Sequence, residues 1–290
     1  MANNLPFRAD HVGSILRSAP LKEARAKREA GTISAAELTG VEDVEIRKII
    51  AKQEEVGLQL ATDGEFRRSW WHFDFFWHLT GCERVVLDHG IKFHGVETKP
   101  ESLKVTGKLD FPADHPMLEH FKFLKSVTKV TPKMTIPSPS VLHFRGGRNA
   151  ISKQAYPELD PAFYDDVAAC YRAELKALGE AGCRYVQLDD TNLAYLCDPK
   201  MREGARQRGD DPNNLPRRYA RLINAAISGR PKDMTVCIHL CRGNFKSAWA
   251  AEGGYEPVAE VLFNELAVDG YFLEYDDARS GDFSPLRFVP

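Results

Sequence analysis

The chain has 290 residues, 43% of them hydrophobic and 28% charged, which is the balance of a globular protein able to bury a large core. Its net charge of −2 gives no electrostatic case for nucleic acid or an anionic membrane. No stretch approaches the ~18 apolar residues of a membrane span, and the amino terminus, MANNLPFRADH, has no apolar signal core, so a cytoplasmic location is expected. The cysteines, at 82, 170, 183, 197, 237 and 241, form no short-range framework and read as reduced thiols.

In chain order, Phe7–Ser14 reads as a short strand ending at Gly13, and Leu16–Gly31 as a helix. Ser34 and Glu37 form a capping box before a long helix that stops at Gly57. Leu58–Thr62 is a short apolar strand closed by Asp63-Gly64-Glu65. The block that follows holds Trp70, Trp71, His72, Phe73, Phe75, Phe76, Trp77 and His78. It reads either as a platform over a flat methyl donor or as a helix packed on the rim or on another chain. Residues 83–110 alternate apolar and polar positions with breaks at Gly95 and Gly107, a β-hairpin excursion. Strands are predicted at Met134–Ile136, Arg184–Leu188, Met234–Ile238 and Gly270–Leu273, with Phe288-Val289 beginning another. Helices are predicted at Pro161–Gly182, capped by Asp160, at Leu215–Ser228 and at Pro257–Leu266.

Alternating strands and helices imply a parallel sheet with right-handed crossovers. The expected fold class is α/β, a (β/α)8 TIM barrel with a β-hairpin excursion. It forms a single domain over 1–290 that lacks its last β/α units. Chemistry in such a barrel sits at the C-terminal strand ends, and the polar residues there are Ser14, Glu65, Asp189 with Asp190, His239 with Cys241, and Glu274. Each has a bland reading as a cap, a turn or a core residue, and a His and a Cys two apart in a strand more often simply pack. Strand alternation nevertheless puts His239 and Cys241 on one face, and Glu274 ends the neighbouring strand. Together they offer an N, S, O set suited to zinc with a position open for a substrate thiol. Glu65 and Asp189, with Ser14, are placed to hold that substrate's ammonium group. A second reading gathers Glu65, Asp189, Asp190, Asp276 and Asp277 around magnesium. A third is a non-catalytic barrel acting through its aromatic block.

The segments His11-Val12-Gly13-Ser14, Gly57–Glu65 (GLQLATDGE), Val186-Gln187-Leu188-Asp189, Ile238–Cys241 (IHLC) and Phe272-Leu273-Glu274 occur in an order that resembles the cobalamin-independent methionine synthases. The likeness is to single-barrel relatives of their catalytic domain and runs from Phe7 onward. It implies zinc held by His239, Cys241 and Glu274, and the amino-acid part of homocysteine bound by Ser14, Glu65 and Asp189. The methyl group would come from a folate-type donor. It also implies a second cysteine ligand and a catalytic histidine, both expected beyond Pro290, so no catalytic residue is assigned within the chain. Two departures stand out: Asp189-Asp190-Thr191 replaces the family's Asp-Glu-Pro, and there is no second, N-terminal barrel for a long folate tail. The expected activity is a zinc-dependent S-methyltransferase with small-molecule partners, no nucleic acid and no membrane, with homo-oligomerisation left open. The alternatives are alkyl transfer to another thiol, as in an epoxide-opening coenzyme M transferase, or a degenerate barrel. Arg67 and Arg68 read either as partners of a substrate carboxylate or as solvated or structural charges.

Overall fold

The computed structural model describes residues 5–90, 92–93, 95–275 and 277–290. Its centre is a four-stranded parallel sheet in the spatial order Gly270–Leu273, Thr235–Leu240, Tyr185–Asp190, Met134–Pro137. All residues of the 185–190 strand are buried, as a central parallel strand covered on both faces requires. A short parallel pair, Leu60–Ala61 with Thr131–Pro132, extends this arc, because the Lys133 N–H donates to the Ala61 carbonyl at 3.0 Å. Successive sheet strands are joined through helices Ala162–Glu180, Leu215–Ile227 and Glu256–Asn264. The helix buries Phe163, Tyr171, Leu175 and Leu178, and the next buries Tyr219, Leu222 and Ile223, so the outer layer closes over the sheet.

The hairpin excursion is present: Thr80–Val86 runs antiparallel to Glu101–Asp110, with Cys82 opposite Val105 and Val86 opposite Glu101. Gly81 permits the register shift at its base. Its φ is +82°, and a Cβ there would lie 2.4 Å from the Lys108 carbonyl oxygen. The capping box also forms. The Ser34 side chain accepts from the Glu37 N–H while Glu37 accepts from the Ser34 N–H, opening a helix over Ala35–Glu55.

Four expectations are corrected. Residues 7–14 form no strand and are held by side chains instead: Lys133 Nζ lies 2.6 Å from Asp10 Oδ1 and donates to the His11 carbonyl at 2.9 Å, and Gln187 donates to the Val12 carbonyl at 2.8 Å. Phe288-Val289 starts no strand, because Ser284–Phe288 is a 3-10 helix with Pro285 in its first turn. The first helix is Ala19–Glu29, capped by Ser18 rather than opening at Leu16, which is left exposed. The helix expected from Pro161 starts at Ala162, with Pro161 in the cap position and no side-chain cap. Among the described residues no helix is long and apolar enough to cross a membrane.

Candidate metal centre

The pairing register builds the site. His239 stands opposite Asp189 on one side and Phe272 on the other, so Asp189, His239 and the residue two beyond Phe272 reach the same end of the sheet. Ile238 and Leu240 point into the main apolar core, which leaves His239 and Cys241 for the opposite face. Glu274 follows the 270–273 strand, and its main chain is fixed by Tyr255: the Glu274 N–H donates to the Tyr255 hydroxyl at 3.1 Å, and that hydroxyl donates to the Glu274 carbonyl at 3.3 Å.

Donor atoms of His239, Cys241 and Glu274 all lie within 4.8 Å of one another. Zinc bonds of about 2.0–2.3 Å put tetrahedral ligand atoms roughly 3.3–3.8 Å apart. The His239 Nε2 to Glu274 Oε1 separation is 3.1 Å, so the set fits a zinc ion with small side-chain adjustments. The surrounding partners suit the same purpose. His239 Nδ1 lies 3.3 Å from Asp189 Oδ1, the carboxylate contact that orients a ligating imidazole. Glu274 Oε2 accepts the Arg242 N–H at 3.3 Å, and Cys241 Sγ accepts the Gly243 N–H at 3.3 Å. Position 243 must be glycine: its φ is +77°, and a Cβ would meet the Tyr195 hydroxyl at 2.5 Å.

Electrostatics within the cluster are self-consistent without a cation. Burial disfavours a charged His239 ring, yet hydrogen bonds to Asp189 and Glu274 outweigh it and hold the group up to about 9. Burial opposes the Glu274 charge, but the facing imidazolium wins and the carboxyl is lowered. Burial, reinforced by Glu274, pushes the Cys241 thiol up to about 12. At neutral pH the cluster is therefore an imidazolium between carboxylates beside a neutral thiol. A cation bound by all three must displace a proton from His239 and one from Cys241. Zinc loading at pH 7 should release about two protons per ion, with affinity falling as pH falls. Metal titration in weak buffer with an indicator dye reads this directly, and uptake without proton release would exclude these ligands.

The other expected site residues fare differently. Glu65 is buried at φ +59°, its N–H donating to Asp63 Oδ1 at 2.8 Å. Burial raises its carboxyl to about 7, with Arg68 opposing and Asp189 and Asp63 adding to the rise, so Glu65 and Asp189 share one electrostatic environment. Asp189 is also held by Gln187, which donates at 2.6 Å. Ser14 is exposed, and among the described residues no hydrogen bond joins it to Glu65 or Asp189. Among the described residues the oxygen-only alternative is not assembled. Asp190 turns away to accept from the Ser140 hydroxyl (2.5 Å) and the Leu193 N–H (2.8 Å), Asp277 caps the turn at Arg279, and Asp276 lies outside the described residues.

Sequence reasoning missed Tyr195, and it read Arg145 only as part of a weak anion-cradle candidate, Phe144–Gly147, not as a neighbour of Cys241. The Tyr195 hydroxyl approaches Gly243 beside Cys241, and both Arg145 and Cys241 act on its ionisation, while burial pushes it up to about 12. Both line a cavity of about 260 Å³ with Phe73, Phe144, Arg208 and Ala250. The aromatic block is packed: Phe73–Phe76 is one helical turn, and fully buried His72 stacks between Trp71 (4.3 Å) and Phe73 (3.9 Å).

Residues 7–251 match the family described as cobalamin-independent synthase, catalytic domain. The chain belongs to this family. It is 52% identical over 285 residues to YxjH of Bacillus subtilis, an uncharacterized protein, covering 98% of this chain and 74% of that one. A solved structure from Listeria monocytogenes, named provisionally as a vitamin-B12-independent methionine synthase, is 44% identical with a TM-score of 0.74. That likeness covers 93% of this chain and 73% of the other. The 5-methyltetrahydropteroyltriglutamate–homocysteine methyltransferase of Thermotoga sp. (strain RQ2) is 26% identical over 257 residues. The match takes in 83% of this chain but only 31% of the Thermotoga protein. Membership of the cobalamin-independent synthases makes the protein one of the methyltransferases of the methionine synthase type, with an α/β fold built on a parallel sheet. Glu274 lies beyond the residues matched by the family model, and the geometry places it in the cluster.

Proposed function

We propose that this protein is a zinc enzyme on a (β/α) barrel that moves a methyl group from a folate-type donor to the sulfur of homocysteine or a close amino thiol. The carrying observation is the convergence of His239, Cys241 and Glu274 at one end of the parallel sheet, with Asp189 turned onto the imidazole. Zinc, when bound, lowers the pKa of an acceptor thiol so that it is a nucleophile at neutral pH.

The chain's own residues supply the rest. Asp189 fixes the ring plane of His239, and Arg242 and Tyr255 fix the carboxylate and backbone of Glu274, so the ligand geometry is set in advance. Glu65 and Asp189 offer buried negative charge to the acceptor's ammonium group, with Ser14 at the rim for the remainder of the amino-acid moiety. The cavity walled by Phe73, Phe144 and Tyr195, with Arg145 at its edge, receives the flat body of the donor and excludes water beside the acceptor sulfur. Alignment of sulfur, methyl carbon and leaving nitrogen in one line is the main kinetic contribution asked of the scaffold.

The test is direct. Protein purified without chelator, or reloaded with zinc, should carry about one zinc per chain and form methionine from homocysteine and a methyl-folate, offered in both mono- and polyglutamyl forms. No zinc uptake, or a zinc-loaded protein that forms no methionine with either donor, sinks this reading.

A further inference from the structure

Behind Glu65 lies buried charge that the reaction above does not use. Arg68 is only 1% exposed, and its Nη1 is 4.0 Å from Glu65 Oε2. Its Nη2 donates to the Thr135 carbonyl at 2.5 Å, which ties the guanidinium to the 134–137 strand, while among the described residues Nε and Nη1 have no hydrogen-bond partner. Helix Ala162–Glu180 brings up Glu174, fully buried, with neither carboxyl oxygen hydrogen-bonded among the described residues. Burial pushes that carboxyl up to about 8 against the opposing charge of Arg68. Helix Pro116–Val127 contributes His120, which burial lowers to about 4 and so keeps neutral.

The charges facing Glu65 are few: Arg68 and Asp63 from its own turn, Asp189 from the 185–190 strand, and Arg17 from the segment before the first helix. The aspartates oppose ionisation of Glu65, and only the arginines favour it. Arg17 is committed to main-chain carbonyls, donating to those of Glu65 (3.1 Å) and Arg68 (2.8 Å). An unpaired carboxylate with no hydrogen bond is costly to bury, so Glu174 retains its proton and takes no share of the guanidinium charge. We propose that Arg68 is a positioning residue whose guanidinium favours the charged form of Glu65, with Glu174 taking no share of it, and that this makes the site selective for thiols bearing a protonated amine. The inference rests on the reading of Glu65 as the ammonium partner.

The test compares the full-length protein with R68M and R68K. In ligand-free protein carrying ¹³C-labelled glutamate carboxyls, the Glu65 signal is assigned through E65Q and titrated. In parallel, binding of homocysteine is measured against 4-mercaptobutyrate, the same thiol acid without its amine, across neutral pH. R68M should raise the Glu65 midpoint by about one unit or more and weaken homocysteine binding at pH 7 by about tenfold. The acid limb of that binding should move up, 4-mercaptobutyrate should bind as before, and R68K should restore much of the difference. An unmoved Glu65 midpoint in R68M, or equal loss for both thiols, overturns the proposal. A wild-type protein that binds neither thiol counts against the amino-thiol reading, and the carboxyl titration still decides the role of Arg68. Should R68M not fold, R68Q carries the same expectations.

Discussion

Replacing Cys241 by serine should strip zinc from the protein and abolish methyl transfer while leaving the fold intact. Loss of an outer partner of a metal ligand typically costs 10–100-fold in affinity, roughly the effect expected of Asp189→Asn, and loss of a ligand itself should cost more. Serine is smaller and harder than a thiolate, and its hydroxyl does not ionise near neutral pH, so the soft donor is not replaced. The fold should survive because Cys241 lies past the end of its strand, where among the described residues its sulfur accepts only the Gly243 N–H. Metal analysis beside circular dichroism separates the outcomes. A C241S protein with wild-type zinc content rejects the ligand assignment.

Lys133→Met should be among the most destabilising single changes available. The lysine is buried in an ion pair with Asp10, whose side chain is also buried, and its ammonium group lies 4.6 Å from the centre of the Phe272 ring. Methionine keeps the apolar stem but leaves Asp10 as an uncompensated buried charge, with only the Tyr185 hydroxyl still donating to it. Breaking a buried pair from one side costs about 3–5 kcal/mol. Removing the carboxylate as well, in K133M/D10N, should recover much of that, since no orphan charge remains. Urea midpoints of the single and double variants check this, and a double variant no more stable than K133M rejects the account. The same lysine donates to the His11 carbonyl, so the single variant should also loosen the segment that carries Ser14.

The parts of the site that follow from strand periodicity were legible in the sequence. The spacing of His239 and Cys241, and the position of Glu274 at the next strand end, are properties of a two-residue repeat and a parallel order. What escaped was held by tertiary contact. Residues 7–14 pair with no strand, and the His11 and Val12 carbonyls are held instead by Lys133 and Gln187, far along the chain. Arg68 followed Arg67 in a pair that read as partners of a substrate carboxylate or as solvated or structural charges, and only the fold shows its guanidinium against Thr135 and near Glu65. Tyr195 gave no signal at all: it follows Asp190 in a turn whose conformation is fixed by hydrogen bonds to Ser140 and Leu193. The homology segments pointed to Asp189 as a substrate contact, but not to its second engagement with the imidazole.

That double engagement sets a length scale. Asp189 belongs to the fully buried 185–190 strand, and it faces His239 at one end of the site while acting on Glu65 at the other. The sulfur end and the amine end of the proposed acceptor thus both lie beside Asp189 on one buried strand. The span between them works as a gauge. If the acceptor spans these two points as proposed, an amino thiol with one methylene fewer or one more should bind less well than homocysteine.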